Sequence, residues 1–395
     1  MNTRILLCIT GSVAAYKTIE LAKTLESEGF DIHVFLSSNA QNFVSTLVLE
    51  TLFPNRVYKN DDALDINGQI THINFAANTD LILVAPASAN IIAKLAHGIA
   101  DCLISQTCLA TNSPILIAPA MNKNMWSNAF VQKNIRALHE YGVTTIGPKY
   151  GEQACGDIGF GRMSEIQEIV HYCKKFTTSQ LLSKKQIIIT AGPTIEKIDP
   201  VRFLSNFSSG KMGYAIAQIA WYMGAEVTLI TGPTNIQFPT GIQVIESCST
   251  QDMLDTTLSV INAQHADIFI SAAAVSDYRA ADYSDHKIKK ADVPLSLSLL
   301  RNEDIISNVK AQYPNIFCIG FAAETEKIKE YGILKLYQKK LDLIAINDVS
   351  NDQVFGKDNN ELLVIEKNGR EYTLHQDSKH NIAIKLLGII ASTYQ

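Results

Sequence analysis

The chain has 395 residues, of which 47% are hydrophobic and 18% charged, and its formal net charge is −5. This composition is typical of a soluble globular protein with enough apolar residues for two or three cores. The slightly acidic balance argues against a nucleic-acid partner, because no excess of Lys and Arg is present to neutralise phosphates. No apolar run reaches the length of a membrane-spanning helix, so we expect no membrane partner.

Seven cysteines are scattered along the chain without a CxxC pair or a Cys/His cluster. This pattern argues against a disulfide framework and against structural zinc. The apolar residues after Arg4 superficially suggest a signal peptide, but they end in Gly11-Ser12 and lead into a helix, as a buried first strand would. A reducing, cytoplasmic location fits these features.

In the first part of the chain, strand patterns alternate with helix patterns. We predict strands over 4–10, 31–36, 81–85, 115–118 and 143–146, and helices over 12–28, 88–97, 100–110 and 126–140. The runs LILVA and ILIA are almost continuously apolar, which is typical of strands covered on both faces. The β–α alternation predicts a doubly wound parallel sheet.

A polar segment, 174–186, separates this half from a second one, and we interpret residues 176–185 as a linker. The second half restarts with strands over 186–190, 226–230, 267–271, 316–320 and 341–346, and with helices over 213–223, 250–263 and 325–339. The predicted fold class is therefore α/β, with two doubly wound, Rossmann-like domains over 1–175 and 186–395.

Polar side chains follow several strands of the first half. Gly11-Ser12 stands between a strand and a helix, where free N–H groups suit a phosphate, although such turns are common and this one alone decides nothing. Ser37 and Ser88 follow other strands, so we expect a crevice at the same sheet edge. The chain has no GxGxxG motif, and a mononucleotide therefore fits better than NAD.

Two further features of the first half carry candidate reactive groups. His72, taken alone, is most simply a histidine that caps a helix or lies on its surface. Residues 151–163 place four glycines around Cys155, Asp157 and Arg162. This segment is either a surface loop with an incidental cysteine or a mobile flap whose thiol donates a proton to a substrate.

Five segments of the first half together resemble the flavin-dependent cysteine decarboxylases. They are GSVAAYK, THINF, PASAN, PAMNKNMW and ACGDIGFGRM. The resemblance covers residues 1–175 and is specifically to the phosphopantothenoylcysteine decarboxylase half of the bacterial bifunctional enzyme of coenzyme A biosynthesis. It implies a flavodoxin-like domain with bound FMN, which oxidises the substrate thiol. Carbon dioxide then leaves, and the enethiolate that remains is protonated and reduced.

The resemblance also implies residue roles. His72 is the catalytic histidine, Asn122 holds the substrate carboxylate through its uncharged amide, and Cys155 protonates the enethiolate. The implied FMN-binding residues are Gly11, Ser12, Ser37, Ser88, Ser105 and Met121.

Residues 190–214 of the second half read TAGPTIEKIDPVRFLSNFSSGKMGY. Their donors cluster near a helix N-terminus, which favours phosphate binding, but the P-loop pattern GxxxxGK(S/T) is missing and a polar crossover is the alternative. The small residues of SAAAVSDY can let a ring lie flat against the backbone. The basic run KIKK and the pair Lys335 and Lys339 are, taken alone, typical of solvated surfaces.

Together with GFAAET and KLDLIAINDV, these segments resemble the phosphopantothenate–cysteine ligase half of the same bifunctional enzyme, over about residues 185–395. The resemblance implies that CTP activates the substrate as an acyl-cytidylate and that the amine of cysteine then displaces CMP. Arg202 and Asn206 are the implied substrate contacts, with Asn206 acting on the acyl-cytidylate.

The nucleotide site is implied in the same way. Lys287 is also an implied catalytic residue, and Asp277 is the implied contact of Mg²⁺, which offsets charge on the leaving pyrophosphate. The implied nucleotide-binding residues are Ser271, Ala272, Ala273, Asp277, Lys287, Asp304, Ile305, Phe321, Lys335 and Lys339. The chain departs from the family at Glu303, where the pattern Lys-Asn-Pro-Asp-Ile commonly has a rigid proline.

The predicted function is thus two steps of coenzyme A biosynthesis, from 4'-phosphopantothenate and cysteine to 4'-phosphopantetheine. The resemblance implies a homo-oligomer with flavin sites completed across subunits and a dimeric second domain. A catalytically inactive, flavin-binding regulatory protein is the alternative, and it predicts loss of His72, Asn122 or Cys155, all of which are present. Fold class alone also suggests a nicotinamide-dependent oxidoreductase, which the missing GxGxxG opposes.

Overall fold

The computed structural model describes residues 2–290, 295–349 and 358–394, and the chain forms two compact units, Met1–Thr178 and Ser179–Gln395. Helix 166–177 occupies the start of the segment predicted as a linker. The residues that follow pack on the second unit, where Leu182 N donates to Met223 O at 2.9 Å and Gln180 Nε2 donates to Tyr222 O at 3.0 Å.

The first unit has a six-stranded sheet and a separate hairpin. Its strands are β1 (Arg4–Ile9), β2 (Asp31–Leu36), β3 (Val57–Lys59), β4 (Leu81–Ala87), β5 (Ile115–Pro119), β6 (Thr144–Thr145), β7 (Lys149–Glu152) and β8 (Ile158–Arg162). Its α-helices are α1 (Thr18–Ser27), α2 (Thr46–Leu52), α3 (Thr71–Asn78), α4 (Ala89–Ala96), α5 (Leu103–Ala110), α6 (Lys123–Ser127), α7 (Ala129–Glu140) and α8 (Ile166–Thr177).

The strands of the first sheet run parallel in the order β3-β2-β1-β4-β5-β6, which confirms the doubly wound prediction. Without the short edge strand β3, this is the order of a flavodoxin-like sheet. Alternate residues of β1 enter two different cores, with Leu7 on one face and Leu6 on the other. The strand order reverses between β1 and β4, so a ligand crevice is expected at their carboxyl ends.

The second unit is built around an eight-stranded sheet. Its strands are β9 (Gln186–Ala191), β10 (Glu196–Lys197), β11 (Phe203–Leu204), β12 (Glu226–Thr231), β13 (Gln243–Glu246), β14 (Ile268–Ser271), β15 (Tyr278–Ala280), β16 (Leu299–Arg301), β17 (Phe317–Glu324), β18 (Leu343–Asp348), β19 (Asn359–Glu366) and β20 (Glu371–Ser378). Its α-helices are α9 (Lys211–Tyr222), α10 (Thr250–Gln264), α11 (Ile305–Gln312), α12 (Ile328–Gln338) and α13 (Lys379–Thr393).

The second sheet has the order β13-β12-β9-β14-β17-β18-β19-β20. The strands from β13 to β18 are parallel, as predicted, whereas β19 and β20 add an antiparallel edge that the sequence reading did not anticipate. Helix α13 follows this edge and packs against α9. Among the described residues, no helix is both long and apolar enough to cross a membrane.

Candidate functional site

Hydrogen bonds join the carboxyl ends of β1 and β4. Thr10 Oγ1 donates to Pro86 O at 2.6 Å and accepts from Ser88 N at 2.9 Å. The end of β1 also lies close to the end of β2, because a Cβ on Gly11 would stand only 2.6 Å from Asn39 Cβ. A residue with any side chain at position 11 would therefore force these two strand ends apart.

Three of the serines predicted to bind FMN lie at this edge of the sheet. Ser12 Oγ accepts from Ala14 N at 3.4 Å, and Ser88 Oγ accepts from Ile91 N at 3.5 Å, so each begins a helical turn. Ser37 Oγ accepts from Ala40 N at 3.2 Å just after β2. Hydroxyls and first-turn N–H groups gathered at one edge are a suitable environment for a phosphate.

The other two residues predicted to bind FMN have clear local partners. Ser105 is fully buried at the start of α5, where its Oγ accepts from Cys102 N at 3.3 Å and caps the helix. Met121 follows β5, and its N–H donates to Gly161 O at 3.0 Å. Met121 thereby connects the end of β5 with strand β8.

The predicted flap is a hairpin of β7 and β8, with its turn at 153–157. Gln153 Oε1 accepts from Lys123 N at 3.0 Å, which ties the turn to the start of α6. A Cβ on Gly161 would lie 2.2 Å from Met121 O. Glycine at that position is therefore needed for the hairpin to lie against the end of β5.

The hairpin brings the predicted proton donor to the predicted carboxylate-binding amide. Asn122 Nδ2 donates to Asp157 Oδ2 at 2.8 Å and to Cys155 Sγ at 3.4 Å, and Cys155 Sγ donates to Asp157 Oδ2 at 3.6 Å. Lys123 Nζ lies 3.1 Å from Asp157 Oδ1. We refer to Asn122, Lys123, Cys155 and Asp157 as the Asn122 cluster. Sequence reasoning had noted the carboxylate of Asp157 without giving it a role, and had missed Lys123.

Asp157 is the charged centre of the Asn122 cluster. The hydrogen bond from Asn122, followed by the hydrogen bond and charge of Lys123, lowers the pKa of the Asp157 carboxyl below its usual value. At neutral pH the carboxylate is therefore ionised and can only accept hydrogen bonds. Asn122 Oδ1 accepts from Asn124 N at 2.9 Å, which directs the amide nitrogen towards the hairpin.

His72 is the second residue of α3 and is half-buried. Within the described ranges, its side chain has no hydrogen bond or ion pair, and no such contact joins it to the Asn122 cluster. The structure of one chain therefore brings Asn122 and Cys155 together without bringing His72 to them.

The second unit contains a cavity of about 520 Å³ at the carboxyl ends of β14 and β17. Its wall includes most of the residues predicted for the nucleotide and substrate. They are Asn206, Ser271, Ala272, Ala273, Asp277, Asp304, Ile305, Phe321, Lys335 and Lys339. The predicted residues Arg202 and Lys287 do not line the cavity.

Helix α9 begins at the wall of this cavity. Gly210 is its N-cap with φ of 77°, a left-handed conformation that favours glycine. A Cβ on Gly213 would lie 2.5 Å from Ala191 Cβ, so this glycine lets the first turn of α9 approach the end of β9. Nearby, Asn206 Nδ2 donates to Ala274 O at 2.8 Å and ties the preceding loop to the residues after β14.

Both predicted nucleotide-binding lysines are paired with carboxylates. Lys335 Nζ lies 2.7 Å from Glu324 Oε1, and Lys339 Nζ forms an ion pair with Asp304. Burial raises the pKa of Asp304, but the Lys339 ammonium and the hydrogen bonds from Ser307 outweigh it, and the net shift is downward. Asp304 Oδ1 also accepts from Ser307 N at 2.8 Å and so caps α11.

Asp199 links the loop of Arg202 to the segment of Lys287. Its Oδ1 accepts from Arg202 N at 2.8 Å, and its Oδ2 accepts from Ile288 N at 3.2 Å, next to Lys287. Burial raises the pKa of Asp199, but backbone N–H donors, first that of Val201, bring it below its usual value. Sequence reasoning missed this residue, although an Asp before a Pro is a known turn signal.

The loop that carries Glu303, where the family pattern has a proline, is still held in place by hydrogen bonds. Asn302 N donates to Asp277 O at 2.8 Å, and Asn302 Nδ2 donates to Ser276 O at 2.9 Å. Glu303 itself is exposed. The neighbouring amide therefore holds the loop beside Asp277 in the absence of the proline.

The structure contains no preformed metal centre within residues 2–290, 295–349 and 358–394. In these ranges, no group of three or more His, Cys, Asp or Glu side chains is placed to hold an ion. Asp277 is exposed at the cavity wall.

Comparisons with known proteins match both units. A family model described as Flavoprotein matches residues 1–178, and one described as DNA/pantothenate metabolism flavoprotein C-terminal domain matches residues 182–394. The coenzyme A biosynthesis bifunctional protein CoaBC of Haemophilus influenzae is 44% identical, over 98% of this chain and 96% of the relative. The proteins of that name from Vibrio vulnificus and Bacillus subtilis are each 41% identical, over 97% and 99% of this chain and 96% and 97% of the relatives.

Proposed function

The chain belongs to the family of coenzyme A biosynthesis bifunctional proteins CoaBC, and on this premise we propose how its two units divide the chemistry. The protein is a bifunctional enzyme of coenzyme A biosynthesis, with a decarboxylase and a ligase activity. We propose that the second unit joins 4'-phosphopantothenate to cysteine with CTP, and that the first unit decarboxylates the product to 4'-phosphopantetheine. The observation that carries this proposal is the Asn122 cluster, in which a carboxylate-binding amide contacts a thiol.

We propose FMN as the cofactor of the first unit. The fit rests on the carboxyl edge of the sheet, where Gly11 lets the ends of β1 and β2 approach each other and where Ser12, Ser37 and Ser88 follow β1, β2 and β4. Ser105 and Met121 complete the proposed set, with Ser105 holding α5 in place. When bound, FMN supplies the redox chemistry, because it accepts electrons from the substrate thiol and later returns them.

Asn122 is proposed to bind the substrate carboxylate. Support comes from Asp157, whose Oδ2 accepts a hydrogen bond from Asn122 Nδ2 at 2.8 Å, so this amide already binds one carboxylate. The amide carries no charge, so it holds the substrate without opposing the loss of the negative carboxylate as carbon dioxide.

Cys155 is proposed to give its S–H proton to the enethiolate. Asp157 accepts the S–H hydrogen bond at 3.6 Å and therefore orients that proton before the substrate arrives. Lys123 Nζ pairs with the other oxygen of the Asp157 carboxylate, Oδ1, at 3.1 Å. Asp157 and Lys123 are positioning residues in this scheme, since they act through Cys155 and Asn122.

We propose that His72 acts as the catalytic histidine in a homo-oligomer. The described residues of its own unit offer its side chain no hydrogen-bonding partner, and apolar side chains beside it in the sequence are exposed, with Ile70 at 54% and Ile73 at 51%. Exposed apolar groups of this kind are typical of subunit contacts. Sedimentation of the purified chain checks the oligomer, and a monomer would contradict it. We also propose a cytoplasmic location, which fits seven unpaired thiols.

In the second unit, we propose that the cavity binds CTP and the substrate acid. Ser271, Ala272, Ala273, Ile305 and Phe321 border the base and sugar, while Lys335 and Lys339 face the phosphates. Lys287, which does not line the cavity, approaches the phosphates from the segment that Asp199 anchors. Mg²⁺ usually takes one or two carboxylates together with substrate phosphates, so Asp277 alone is a sufficient protein contact.

The substrate acid is proposed to lie beside Asn206. The amide of Asn206 is held by Ala274 O at 2.8 Å and acts on the acyl-cytidylate, while Arg202 helps to position the acyl group. Asp199 accepts hydrogen bonds from both the loop of Arg202 and the segment of Lys287, and so holds the two backbones together. Arg202 and Lys287 can therefore approach the substrate from the same side.

The test is a mass-spectrometric assay of the flavin-loaded protein with 4'-phosphopantothenate, cysteine, CTP and Mg²⁺. We expect 4'-phosphopantetheine, and no product when CTP is omitted. Accumulation of 4'-phosphopantothenoylcysteine would contradict the decarboxylase role, and unchanged starting acid would contradict the ligase role. An inactive regulatory protein would give neither product, but no observation in the described residues favours that alternative.

A further inference from the structure

The first turn of α3, which carries His72, is fastened to the preceding residues 60–70, which we call the α3 loop. Thr71, the first residue of the helix, is fully buried. Its Oγ1 donates to Asp62 O at 2.7 Å, and its N–H donates to Ala63 O at 3.1 Å. The backbone immediately before His72 is therefore fixed by this loop.

At the centre of the α3 loop lies the carboxylate of Asp65, which is 8% exposed. Its Oδ1 accepts from Asn67 N at 2.8 Å and from Gln69 N at 2.9 Å. The hydrogen bond from Gln69 N, with those of the other donors, outweighs burial and lowers the pKa of this carboxyl. The group is therefore ionised at neutral pH and can only accept hydrogen bonds.

The second oxygen of Asp65 holds the helix itself. Asp65 Oδ2 accepts from Asn74 Nδ2, in the first turn of α3. Asn74 Oδ1 accepts from Asn78 Nδ2 at 2.7 Å, which directs the amide nitrogen towards Asp65. His72 lies between Thr71 and Asn74, and both of these are tied to the α3 loop. Because its imidazole has no hydrogen bond or ion pair in the described part of its unit, this turn sets the direction in which it points.

We propose that Asp65, acting through Asn74, is a positioning residue for His72 in the decarboxylase reaction. The proposal rests on the proposed function, in which His72 is the catalytic histidine. A reacting group works only in the right geometry, and a displacement of about 1 Å can lower a rate about 10²-fold. A carboxylate suits this task, since a hydrogen bond to an ionised acceptor is shorter and about twice as strong as a neutral one.

The test reverses the direction of the hydrogen bond between Asp65 and Asn74 in the full, flavin-loaded chain. Asn74→Asp sets two carboxylates against each other, so kcat for decarboxylation of 4'-phosphopantothenoylcysteine should fall about tenfold, the size of one lost charge-assisted hydrogen bond. Adding Asp65→Asn exchanges donor and acceptor, and kcat should return to within about threefold of wild type, as in a double-mutant cycle of contacting residues. KM, the affinity for FMN and the ligase rate should change little in both variants.

The matched control is Asp61→Asn, which removes the same charge from the same loop. Asp61 is exposed, and its side chain has no hydrogen bond or ion pair among the residues that the structure describes. Combined with Asn74→Asp, it restores the net charge but not the contact, so kcat should stay low. If Asn74→Asp does not fold, Asn74→Ala takes its place, because alanine favours a helix, and a lower kcat at unchanged KM is again expected.

Several results would overturn the role of Asp65. They are a wild-type kcat in Asn74→Asp or its alanine substitute, a failure of Asp65→Asn to restore kcat, and an equal restoration by Asp61→Asn. A joint loss of kcat, substrate affinity and FMN affinity would also overturn it, because a displaced helix gives that result. His72→Asn tests the proposed function separately: normal decarboxylation by this variant would remove the catalytic role of His72 and, with it, that of Asp65.

Discussion

The two candidate sites lie at the carboxyl edges of parallel sheets, but they hold their polar groups in different ways. In the first unit, Asn122 and Cys155 already contact one another, and both contact Asp157. In the second unit, Lys335 and Lys339 are paired with Glu324 and Asp304. The first site thus holds its proposed proton donor in place before the substrate arrives, and only the Asn122 amide exchanges Asp157 for the substrate carboxylate, whereas the second site must exchange internal ion pairs for ligand phosphates.

This difference predicts which kinetic constant a substitution changes. Loss of a group that is already arranged for the reaction lowers kcat, since the group acts in the transition state. Loss of a lysine that changes partner on binding weakens the ligand in the ground state and raises KM. Partly exposed ion pairs such as Lys339–Asp304 are weak, so the exchange is easy.

The largest effect is expected from Cys155→Ser in the first unit. Removing the proton donor should slow formation of 4'-phosphopantetheine by about 10²- to 10⁴-fold, the usual contribution of a general acid. The ligase step should proceed at its normal rate, because no residue of that cavity is changed. Mass spectrometry of both products gives the two rates.

Glu152→Gln is the control for Cys155→Ser, since Glu152 is exposed on the same hairpin and outside the Asn122 cluster. It should retain full decarboxylation. Normal product formation by Cys155→Ser would remove Cys155 from the proposed chemistry and, with it, the idea that the hairpin supplies a proton.

A smaller loss is expected from Asp157→Asn. The thiol and the Asn122 amide keep their places in the chain but lose the anion that orients both, so kcat should fall about tenfold, as for one charge-assisted hydrogen bond. KM for the substrate and the affinity for FMN should change little. Steady-state kinetics and flavin titration check these values.

A merely structural role of Asp157 would give another result. If the hairpin is displaced, kcat, KM and FMN affinity should worsen together, and Asp157→Glu should fail to restore kcat. A selective loss of kcat that Asp157→Glu partly restores supports the positioning role.

In the second unit, Lys339→Met should act mainly on the affinity for CTP. The change leaves Asp304 without its partner at the cavity wall, where it repels phosphates, and KM for CTP should rise about five- to tenfold while kcat stays within about threefold. Lys329→Met is the control, because Lys329 lies on α12 but pairs with Glu371 at 2.8 Å. A fall in kcat at unchanged KM would contradict the contrast between the two sites.

The sequence predicted the parallel strands well because buried strands such as β4 are continuously apolar. It did not lead to β19, β20 and α13, although β19 alternates exposed and buried residues in its first half, the pattern of an amphipathic edge strand. Helix α13 also has apolar residues at helical spacing, with Ile382, Leu386 and Ile390 buried. Both patterns are local sequence signals for these elements.

Other features of the sites could not be predicted from the sequence. The motifs suggested Asn122 and Cys155, but the contact between Asn122 and Asp157 joins residues 35 positions apart and depends on how the hairpin folds back. The place of Lys379 in the wall of the second cavity depends on the antiparallel edge, which brings the start of α13 beside α9. Neither arrangement has a local sequence signal, because each depends on tertiary packing.

The smallest effect is expected at Asp377, which holds the start of α13. Hydrogen bonds from Lys385, Asn381 and Ser378 N lower its pKa to about 2. The ionised form is therefore favoured in the folded protein, and its stabilisation is present above the ordinary carboxyl pKa of 3.8 and disappears as pH falls towards about 2. Asp377→Asn should lower Tm by no more than about 2 °C at neutral pH, as for an exposed ion pair.

Thermal melts at several pH values test the sign of this effect. The Tm difference between wild type and Asp377→Asn should be constant from about pH 5 to 7 and shrink below about pH 4, because the Asp377 carboxyl then becomes protonated in the unfolded chain, and in the folded chain only near pH 2. A difference that grows at low pH would contradict the lowered pKa. If Asp377→Asn also weakens CTP binding, the start of α13 contributes to the cavity through its position, and the second site is then more rigid than its ion pairs indicate.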